Sequence, residues 1–399
     1  MRILTILVAA ATALGTSAHA APADTRPPNA PDQRPAFPGQ TRAPKPDRAT
    51  AVTLTPVAQG LQNSWGMAFL PDGRILVTEK AGALRIVSTD GKPGRPVGGV
   101  PEVAFGGQGG LLDVALGPEF ATDRMIFLSF SERRARGTNG TSVARGRLVE
   151  TGDMARLEAV EVIFRQEPAW TNQLHFGSRL VFAPDGKLFV TVGERSDRET
   201  RVQAQDLSSG LGKVFRINPD GTIPPDNPFV ARAGALPSIW SYGHRNMQSA
   251  ALDRQGRLWT VEHGPRGGDE LNRPQAGLNY GWPEVTYGLE YSGARMGRGL
   301  TQREGTEQPA YYWDPVIAPS GMALYSGTLF PDWRDAFLVG GLATQDLVVL
   351  RMKDDRVVGE ERIPVGARVR DVRMGPDGAV YLLTEQDRGG SRILRLTPN

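Results

Sequence analysis

One strand–turn–strand pattern recurs along the chain and constrains its fold more than any other feature. An apolar segment leads into a turn of the Pro-Asp-Gly type, a second apolar segment follows, and an acidic residue often ends the unit. Four clear copies and two looser ones occur at 66–79, 111–130, 180–194, 249–262, 321–340 and 372–385. Pro, Asp and Gly supply the backbone angles of a tight reversal, so each copy predicts a β-hairpin.

Six hairpin units predict an all-β fold, a six-bladed β-propeller, because radial repetition protects the edges of the sheets. The 48 Gly and 31 Pro among 399 residues agree with many short strands joined by turns. No long segment has the 3.6-residue period of an amphipathic helix, which argues against an α/β fold. A double β-sandwich is the alternative architecture.

The first 50 residues contain two segments of different composition, 1–20 and 21–50. Residues 1–20 have a basic start, an apolar run and an Ala-His-Ala end, which predicts a signal peptide of the general secretion route cleaved after Ala20. The protein is therefore expected to be periplasmic or secreted. Residues 21–50 contain eight prolines and almost no large apolar residue, which predicts a flexible linker. Residues 51–399 are expected to form the propeller catalytic domain.

Charge and composition exclude several classes of protein. Residues 51–399 carry 40 Lys and Arg against 40 Asp and Glu, and no basic stripe suggests a nucleic-acid partner. The chain has no cysteine, which excludes disulfides and thiolate metal sites. No apolar run is long enough to span a bilayer comfortably, so no membrane span is expected.

Polar residues recur at a common place in the repeat, six to ten positions before the turn proline or its equivalent. In four of the units these residues are Gln108, His175, Arg245 with Asn246, and Arg368 with Arg370. The loop that enters the first strand of a hairpin and the loop that leaves the second lie on the same face of a propeller. These side chains are therefore expected to converge at one mouth of the central channel, which is the default hypothesis for a site.

Each of these residues also has a purely structural interpretation. His175 fits a hydrogen-bonding residue at a strand entrance as well as a general base, and the arginines fit ties between blades. Their shared register favours function. A ring of arginines suits a ligand with several carboxylates, because guanidinium binds carboxylate bidentately. Serine chemistry is weakly supported, since Ser178 lacks a clear third partner beside His175.

The loop at 262–283 leaves the fourth hairpin on the same face. Its glycines allow close approach of the backbone, and the carbonyls of Gly264 and Pro265 could bind a hard cation, with Asp269 and Glu270 as further candidate ligands. His263 has no second histidine at a zinc-binding spacing, which argues against a zinc site.

Several motifs resemble those of the soluble aldose sugar dehydrogenases that depend on pyrroloquinoline quinone (PQQ), which are six-bladed propellers. The resemblance covers roughly residues 52–397. The motifs that carry it are GQGGLLDVALGPEF, HFGSRLVFAPDGKLFVTVGER, SYGHRNMQSAALD, EHGPRGGDELN, GLNYGWP and WDPVIAPSGMALY.

The resemblance implies roles for the residues at the channel mouth. His175 matches the base that takes the proton from the anomeric hydroxyl of the sugar as hydride passes to C5 of PQQ. Gln108 matches a residue at the cofactor and substrate site. Arg245 and Asn246 match the pair that contacts the quinone oxygens, where the arginine stabilises developing negative charge.

The resemblance also implies a metal. Gly264 and Pro265 match backbone-carbonyl ligands of a calcium ion that polarises PQQ. Glu270 and Tyr280 match a second calcium site, the tyrosine through its carbonyl.

The carboxylates of PQQ are matched by Arg368 and Arg370. One position departs from the pattern of the glucose-specific relatives, because Ala343 occupies the place of a lysine at the cofactor. The resemblance implies that the aldose branch tolerates change here, and it leaves the effect of Ala343 on the affinity for PQQ open.

The resulting hypothesis is an enzyme that oxidises aldoses at C1 to the lactone, with PQQ and Ca²⁺ as cofactors. Its expected partners are a small-molecule aldose and an unidentified electron acceptor. The chain lacks the long insertions of the glucose enzyme, so a monomer is expected. Two alternatives are a non-catalytic propeller that binds sugar or cell-wall material and a calcium-dependent propeller of the lactonase type.

Overall fold

The computed structural model describes residues 21–399, and the predicted signal peptide lies outside the described residues. Six antiparallel four-stranded sheets are arranged as the blades of a propeller, which confirms the predicted fold. The strands within residues 21–399, numbered β1 to β24 along the chain, are Val52–Gln62, Ser64–Phe69, Ile75–Glu79, Ala83–Val87, Pro93–Pro96, Leu111–Leu116, Met125–Arg133, Asn139–Thr151, Met154–Arg165, Leu180–Phe182, Leu188–Val192, Lys213–Ile217, Ile239–Tyr242, Met247–Leu252, Leu258–Glu262, Asp269–Asn272, Tyr311–Trp313, Pro319–Leu324, Phe337–Gly341, Asp346–Lys353, Arg356–Pro364, Arg368–Met374, Val380–Glu385 and Gly390–Pro398.

Each blade is built from consecutive strands, except that the last blade takes its outer strand from the start of the chain. Blade 1 contains β2–β5, and blades 2 to 5 contain β6–β9, β10–β13, β14–β17 and β18–β21. Blade 6 contains β22–β24 and β1, which pairs antiparallel with β24 and closes the ring. The first strands of adjacent blades contact one another in a complete cycle around the channel. All six sequence repeats form the two innermost strands of a blade.

Helical structure is confined to short turns within the described part of the chain. Two α-helical turns and four 3-10 segments are present, at Phe120–Asp123, Arg198–Arg201, Ala135–Gly137, Val202–Gln205, Pro331–Trp333 and Asp387–Gly389. Among residues 21–399 there is no helix with the length and apolar character needed to cross a membrane.

The hydrophobic core is divided among the seams between neighbouring blades. Alternation along each strand places apolar side chains on both faces of a sheet, and each face packs on the next blade. Between blades 4 and 5, for example, Trp259 and Leu271 pack against Phe337 and Val348. Five further clusters occupy the other seams in the same way. The core therefore holds the blades in a ring and leaves the channel to polar side chains.

Arg179 on the strand entrance of blade 3 fills the channel itself and is 1% exposed. Its Nη1 lies 3.0 Å from Asp113 Oδ1 on blade 2 and 3.1 Å from Asp371 Oδ1 on blade 6. Its Nε donates to the carbonyl of Gln248 on blade 4 at 2.7 Å, and its guanidinium lies 4.2 Å from the ring centre of Trp65 on blade 1. One side chain thus contacts four blades besides its own.

The structure differs from the sequence prediction at residues 21–50, which lie against blades 4 and 5 and do not form a free linker. The backbone N–H groups of Asn29 and Ala30 donate to the carboxylate of Asp314 at 2.7 and 2.9 Å. Gln40 is fully buried, and its carbonyl accepts from the N–H of Tyr312. Composition missed this packing because it depends on backbone and amide hydrogen bonds more than on apolar area.

We expect Arg179→Met to lower the free energy of unfolding by about 3 to 5 kcal/mol, because it leaves two buried carboxylates short of a counter-charge. Urea unfolding followed by circular dichroism measures this loss. Arg147→Met is the control, since Arg147 forms an exposed ion pair with Glu158 on the outer strands, worth under about 1 kcal/mol. A loss no larger for Arg179→Met than for the control would show that the channel contacts do not hold the ring.

We expect Asp314→Ala to release the N-terminal segment, because it removes the acceptor for two backbone N–H groups. Limited proteolysis with mass spectrometry should show cleavage near Arg26 and Arg34 at least about tenfold faster than in the wild type, as for a loss of about 1.4 kcal/mol or more in local stability. Equal cleavage rates in the two proteins would contradict this anchoring role.

Candidate functional site

The six predicted residues at the channel mouth lie on the face where loops enter the first strand and leave the second strand of each blade. Several first strands begin with an irregular register against the second strand, including the shifts between Met247 and Ser249 and between Val369 and Asp371. Such bulges re-aim side chains. The residues left out of register, Gln248 and Arg370, hydrogen bond to each other at 2.8 Å in the channel mouth.

His175 is buried and held by two hydrogen bonds. Its backbone has a φ of +49°, a conformation that is uncommon for residues other than glycine and that often marks a functional site. Its N–H donates to Gln108 Oε1 at 2.8 Å, and its Nδ1 lies 3.2 Å from Glu194 Oε1. A carboxylate at Nδ1 fixes the hydrogen on that atom and leaves Nε2 with a free lone pair. Within residues 21–399, Nε2 has no hydrogen-bond partner.

Electrostatics keep the imidazole of His175 neutral. Burial, followed by repulsion from Arg245, lowers its pKa below the usual value of 6.5, and Glu194 opposes the shift only in part. A neutral imidazole with a free Nε2 can accept a proton at neutral pH. Sequence analysis predicted His175 at the channel mouth but did not identify Glu194 as its partner.

Arg245 and Asn246 lie beside this pair. The carbonyl of Arg245 accepts from the N–H of Glu194 at 3.0 Å, and its Nη1 donates to the carbonyl of His263 at 3.0 Å. Asn246 Oδ1 accepts from the N–H of Gly177 at 3.0 Å. Arg245 Nε and Asn246 Nδ2 are buried and have no partner among the described residues. Buried donors without partners are rare in proteins, and these two are free to bind a ligand.

His263 connects this part of the site with the next. Its ring Nε2 is also buried without a partner in the described chain. Burial, followed by repulsion from Arg245, lowers its pKa to about 3, so the ring is neutral at all ordinary pH values. It lines the larger of the two cavities described below and is also part of the smaller one.

A cavity of about 260 Å³ opens at the channel mouth. Its lining includes both predicted arginines of blade 6, and the full set is Trp65, Lys80, Gly107, Gln108, Gln248, His263, Ala318, Leu342, Arg368, Arg370 and Glu385. Arg368 Nε and Arg370 Nε donate to the two oxygens of Glu385 at 2.9 and 2.7 Å. Burial opposes the charged form of Glu385, but the two arginines outweigh it and lower its pKa to about 2. The cavity is therefore lined by more positive than negative charge.

The loop with the predicted calcium ligands is clamped by Asp269. Its Oδ1 accepts from the N–H of Gly264 at 2.7 Å, and its Oδ2 accepts from the N–H groups of Ile317 and Ala318, each at 2.8 Å. Asp269 is saturated by these bonds, which makes it a support for the loop and not a free ligand. The carbonyls of Gly264 and Pro265 accept no hydrogen bond from the described residues and remain available to a cation.

Glu270 and Tyr280 line a second, much smaller cavity together with Gly264 and Glu262. Burial and then the neighbouring Glu262 raise the pKa of Glu270 well above its usual value, so a cation here would relieve the repulsion. The hydroxyl of Tyr280 donates to the carbonyl of Arg273 at 2.5 Å, which leaves its backbone carbonyl as the possible ligand. No cluster of three or more His, Cys, Asp or Glu side chains with metal-site geometry is found in residues 21–399.

The acidic residue that ends several hairpins is the signal that sequence analysis saw but did not assign. Glu194 holds His175, Glu385 holds the two arginines of blade 6, and Glu262 Oε1 lies 3.0 Å from His244 Nδ1. Ser178, by contrast, donates its hydroxyl to the carbonyl of Phe176 and has no histidine partner within the described chain. The structure therefore gives no support to serine chemistry.

Comparison with known proteins agrees with this geometry. The family model for glucose/sorbosone dehydrogenase matches residues 61–395. The aldose sugar dehydrogenase YliI of Escherichia coli K12 is 44% identical over 352 residues, covering 87% of this chain and 93% of that protein.

Two solved structures extend the comparison. The apo form of the soluble aldose sugar dehydrogenase from Escherichia coli superposes with a TM-score of 0.82 at 42% identity, over 87% of this chain and 100% of that one. The PQQ-bound aldose sugar dehydrogenase from Streptomyces coelicolor gives a TM-score of 0.72 at 30% identity, over 89% and 100%. These matches confirm the resemblance found in the sequence motifs, and the chain belongs to the glucose/sorbosone dehydrogenase family of oxidoreductases.

Proposed function

We propose that this protein oxidises aldose sugars at C1 to the corresponding lactone, using PQQ and calcium, with His175 as the general base. The observation that supports the proposal is the buried His175–Glu194 pair, which leaves Nε2 free and is linked to the cavity lining through Gln108, the acceptor of the His175 backbone N–H. A non-catalytic sugar-binding propeller would not need a buried base with a fixed tautomer. A lactonase would not need the two arginines of blade 6.

The residues present fit an anionic quinone. Arg368 and Arg370 line one wall of the cavity and suit carboxylates. Arg245 Nε, Asn246 Nδ2 and His263 Nε2 are buried polar atoms without partners in the described chain, and quinone oxygens and ring nitrogens would satisfy such atoms. PQQ, when bound, supplies an electrophilic carbon, C5, that accepts hydride from C1 of the sugar.

The available oxygens also fit calcium. Gly264 and Pro265 offer carbonyls on a loop that Asp269 holds in place, and hard cations prefer oxygen ligands of this kind. Glu270 and the carbonyl of Tyr280 would hold a second ion in the smaller cavity. We propose calcium as the ion at both places.

His175 performs the proton transfer in this scheme. The Nε2 lone pair accepts the proton of the anomeric hydroxyl, and Glu194 stabilises the imidazolium that forms because its oxygen faces the Nδ1–H. Gln108 keeps the histidine backbone in its strained conformation by accepting its N–H. The guanidinium of Arg245 lies close enough to oppose protonation of His175 before the reaction, which keeps the base active at neutral pH.

We further propose that residues 1–20 are a signal peptide and that a periplasmic or secreted, monomeric protein passes its electrons to an unidentified acceptor. Residues 51–399 would then form the catalytic domain, with residues 21–50 packed on its surface.

We expect the purified protein to bind PQQ in the presence of calcium, with a change in absorbance that saturates, and then to be reduced on addition of an aldose. His175→Ala should still bind PQQ but lose about 10²- to 10⁴-fold in dye-linked turnover, because a general base is removed. Circular dichroism checks that the variant is folded. The proposal fails if no aldose in a broad panel reduces the PQQ-loaded protein.

The pH dependence should report His175 directly. Its pKa is lowered in the folded protein, so the rise of kcat/KM with pH should have its midpoint below pH 6.5, the usual value for a histidine. Glu194→Gln removes the negative charge that raises this pKa, so the midpoint should move to still lower pH while kcat falls. The matched control is Glu361→Gln, a buried glutamate on β21 whose carboxylate accepts from the N–H of Thr50 and pairs with Arg351. A midpoint that is the same in wild type and Glu194→Gln would exclude His175 as the titrating base.

A further inference from the structure

Lys80 is a half-buried cation that lines the larger cavity and has no part in the proposed proton transfer. It follows β3 directly, at the position after the glutamate that ends the hairpin of blade 1. Its backbone is fixed, since its N–H donates to the carbonyl of Asn63 at 2.9 Å and its carbonyl accepts from the N–H of Leu111 at 3.0 Å. Its side chain lines the cavity together with Arg368 and Arg370.

The contacts of the ammonium group distinguish it from the two arginines. Both arginines share the carboxylate of Glu385, whereas Lys80 Nζ has only the carbonyl of Gly107 at 3.3 Å. No carboxylate of the described residues forms an ion pair with Lys80. Burial and then repulsion from Arg370 lower the pKa of Lys80, and the attraction of Glu385 offsets this only in part. The cavity therefore presents three cations and one carboxylate.

Ala343 lies next to the same cavity and bears on the role of this excess positive charge. Ala343 is exposed and carries no charge, and its neighbour Leu342 lines the same cavity. The wall contributed by blade 5 thus lacks a cation at the place where the resemblance expects a lysine. Blade 1 offers one from a different wall, because the ring brings blades 1, 5 and 6 around the same cavity.

We propose that Lys80 binds a carboxylate of the anionic ligand in this cavity and supplies the positive charge that Ala343 does not. The inference rests on the proposed function, in that the ligand is taken to be PQQ, an aromatic molecule with three carboxylates. Lys80 is a binding residue in this scheme. It holds the ligand by a charge-assisted hydrogen bond from Nζ and takes no part in the proton transfer at His175.

The test is a titration of the full chain with PQQ in calcium buffer, followed by absorbance and by quenching of tryptophan fluorescence. We expect Lys80→Met to raise the Kd for PQQ by about 10- to 100-fold, the range for loss of a hydrogen bond between charged groups. Its log Kd should also vary less steeply with log salt concentration, because one ion contact is gone. The control is Lys187→Met, a lysine paired with Asp185 in the turn of blade 3, which should bind as the wild type does.

A second variant separates binding from damage to the fold. Ala343→Lys in the Lys80→Met background should recover at least half of the lost affinity on a logarithmic scale, since a long lysine side chain next to Leu342 brings a cation to the edge of the cavity. The proposal is overturned if Lys80→Met binds PQQ with the Kd of the wild type, or if it loses affinity with an unchanged salt dependence and no recovery by Ala343→Lys.

The outcomes also separate this inference from the proposed function. Tight PQQ binding by the wild type without reduction by any aldose would overturn the function and leave the Lys80 comparison valid. Reduction by aldoses with equal affinity in wild type and Lys80→Met would overturn the role of Lys80 alone. No binding of PQQ by the wild type would overturn both.

Discussion

The guanidinium of Arg179 is the interaction on which the geometry of the channel depends. A propeller buries most of its apolar surface between blades, so the inner strands around its axis need a further means of holding a common register. Arg179 provides it through two carboxylates, one backbone carbonyl and one indole from four other blades. Its Nη2 also donates to the carbonyl of Arg370 at 3.3 Å, which links Arg179 in the channel to the side of the cavity formed by Arg368 and Arg370. The candidate site is therefore adjacent to the buried ion pairs of Arg179.

One contact recurs among the repeats at the channel mouth. The glutamate at the end of the second strand faces the basic residue at the start of the first strand, and the chemistry depends on which basic residue is present. With His175 the pair gives an imidazole with a fixed tautomer, whereas with Arg368 and Arg370 it gives a carboxylate that holds two guanidinium groups in the cavity wall. Glu262 serves a third purpose, because it accepts from the N–H of Arg245 and so holds the loop that presents that guanidinium. Repetition of a simple hairpin thus gives three different polar environments on one face.

Much of the fold and part of the site could be predicted from local sequence. Turn chemistry and alternation specify each hairpin, and the common register of the polar residues specifies the face on which they meet. What could not be predicted depends on contacts distant in sequence. The docking of residues 21–50 rests on the acceptor groups of Asp314, which composition does not reveal. Lys80 joins the arginines of blade 6 only because the ring closes and makes blade 1 its neighbour. The partner of His175 is one of the acidic residues that recur at the ends of the hairpins, but a repeat pattern alone does not show which residues are in contact.

The closing strand has a consequence for how the chain reaches this state. Blade 6 is completed by β1 from the start of the chain and β24 from its end, and the N–H of Asn399 donates to the carbonyl of Ala51 at 3.3 Å. The ring cannot close until β24 has been synthesised. Until then β1 has no partner strand, and its open edge must be kept from pairing with other chains. Residues 51 and 399 also lie close together on the rim of the ring. A circular permutant that joins them and opens a turn in another blade would therefore move the closing strand pair to that blade.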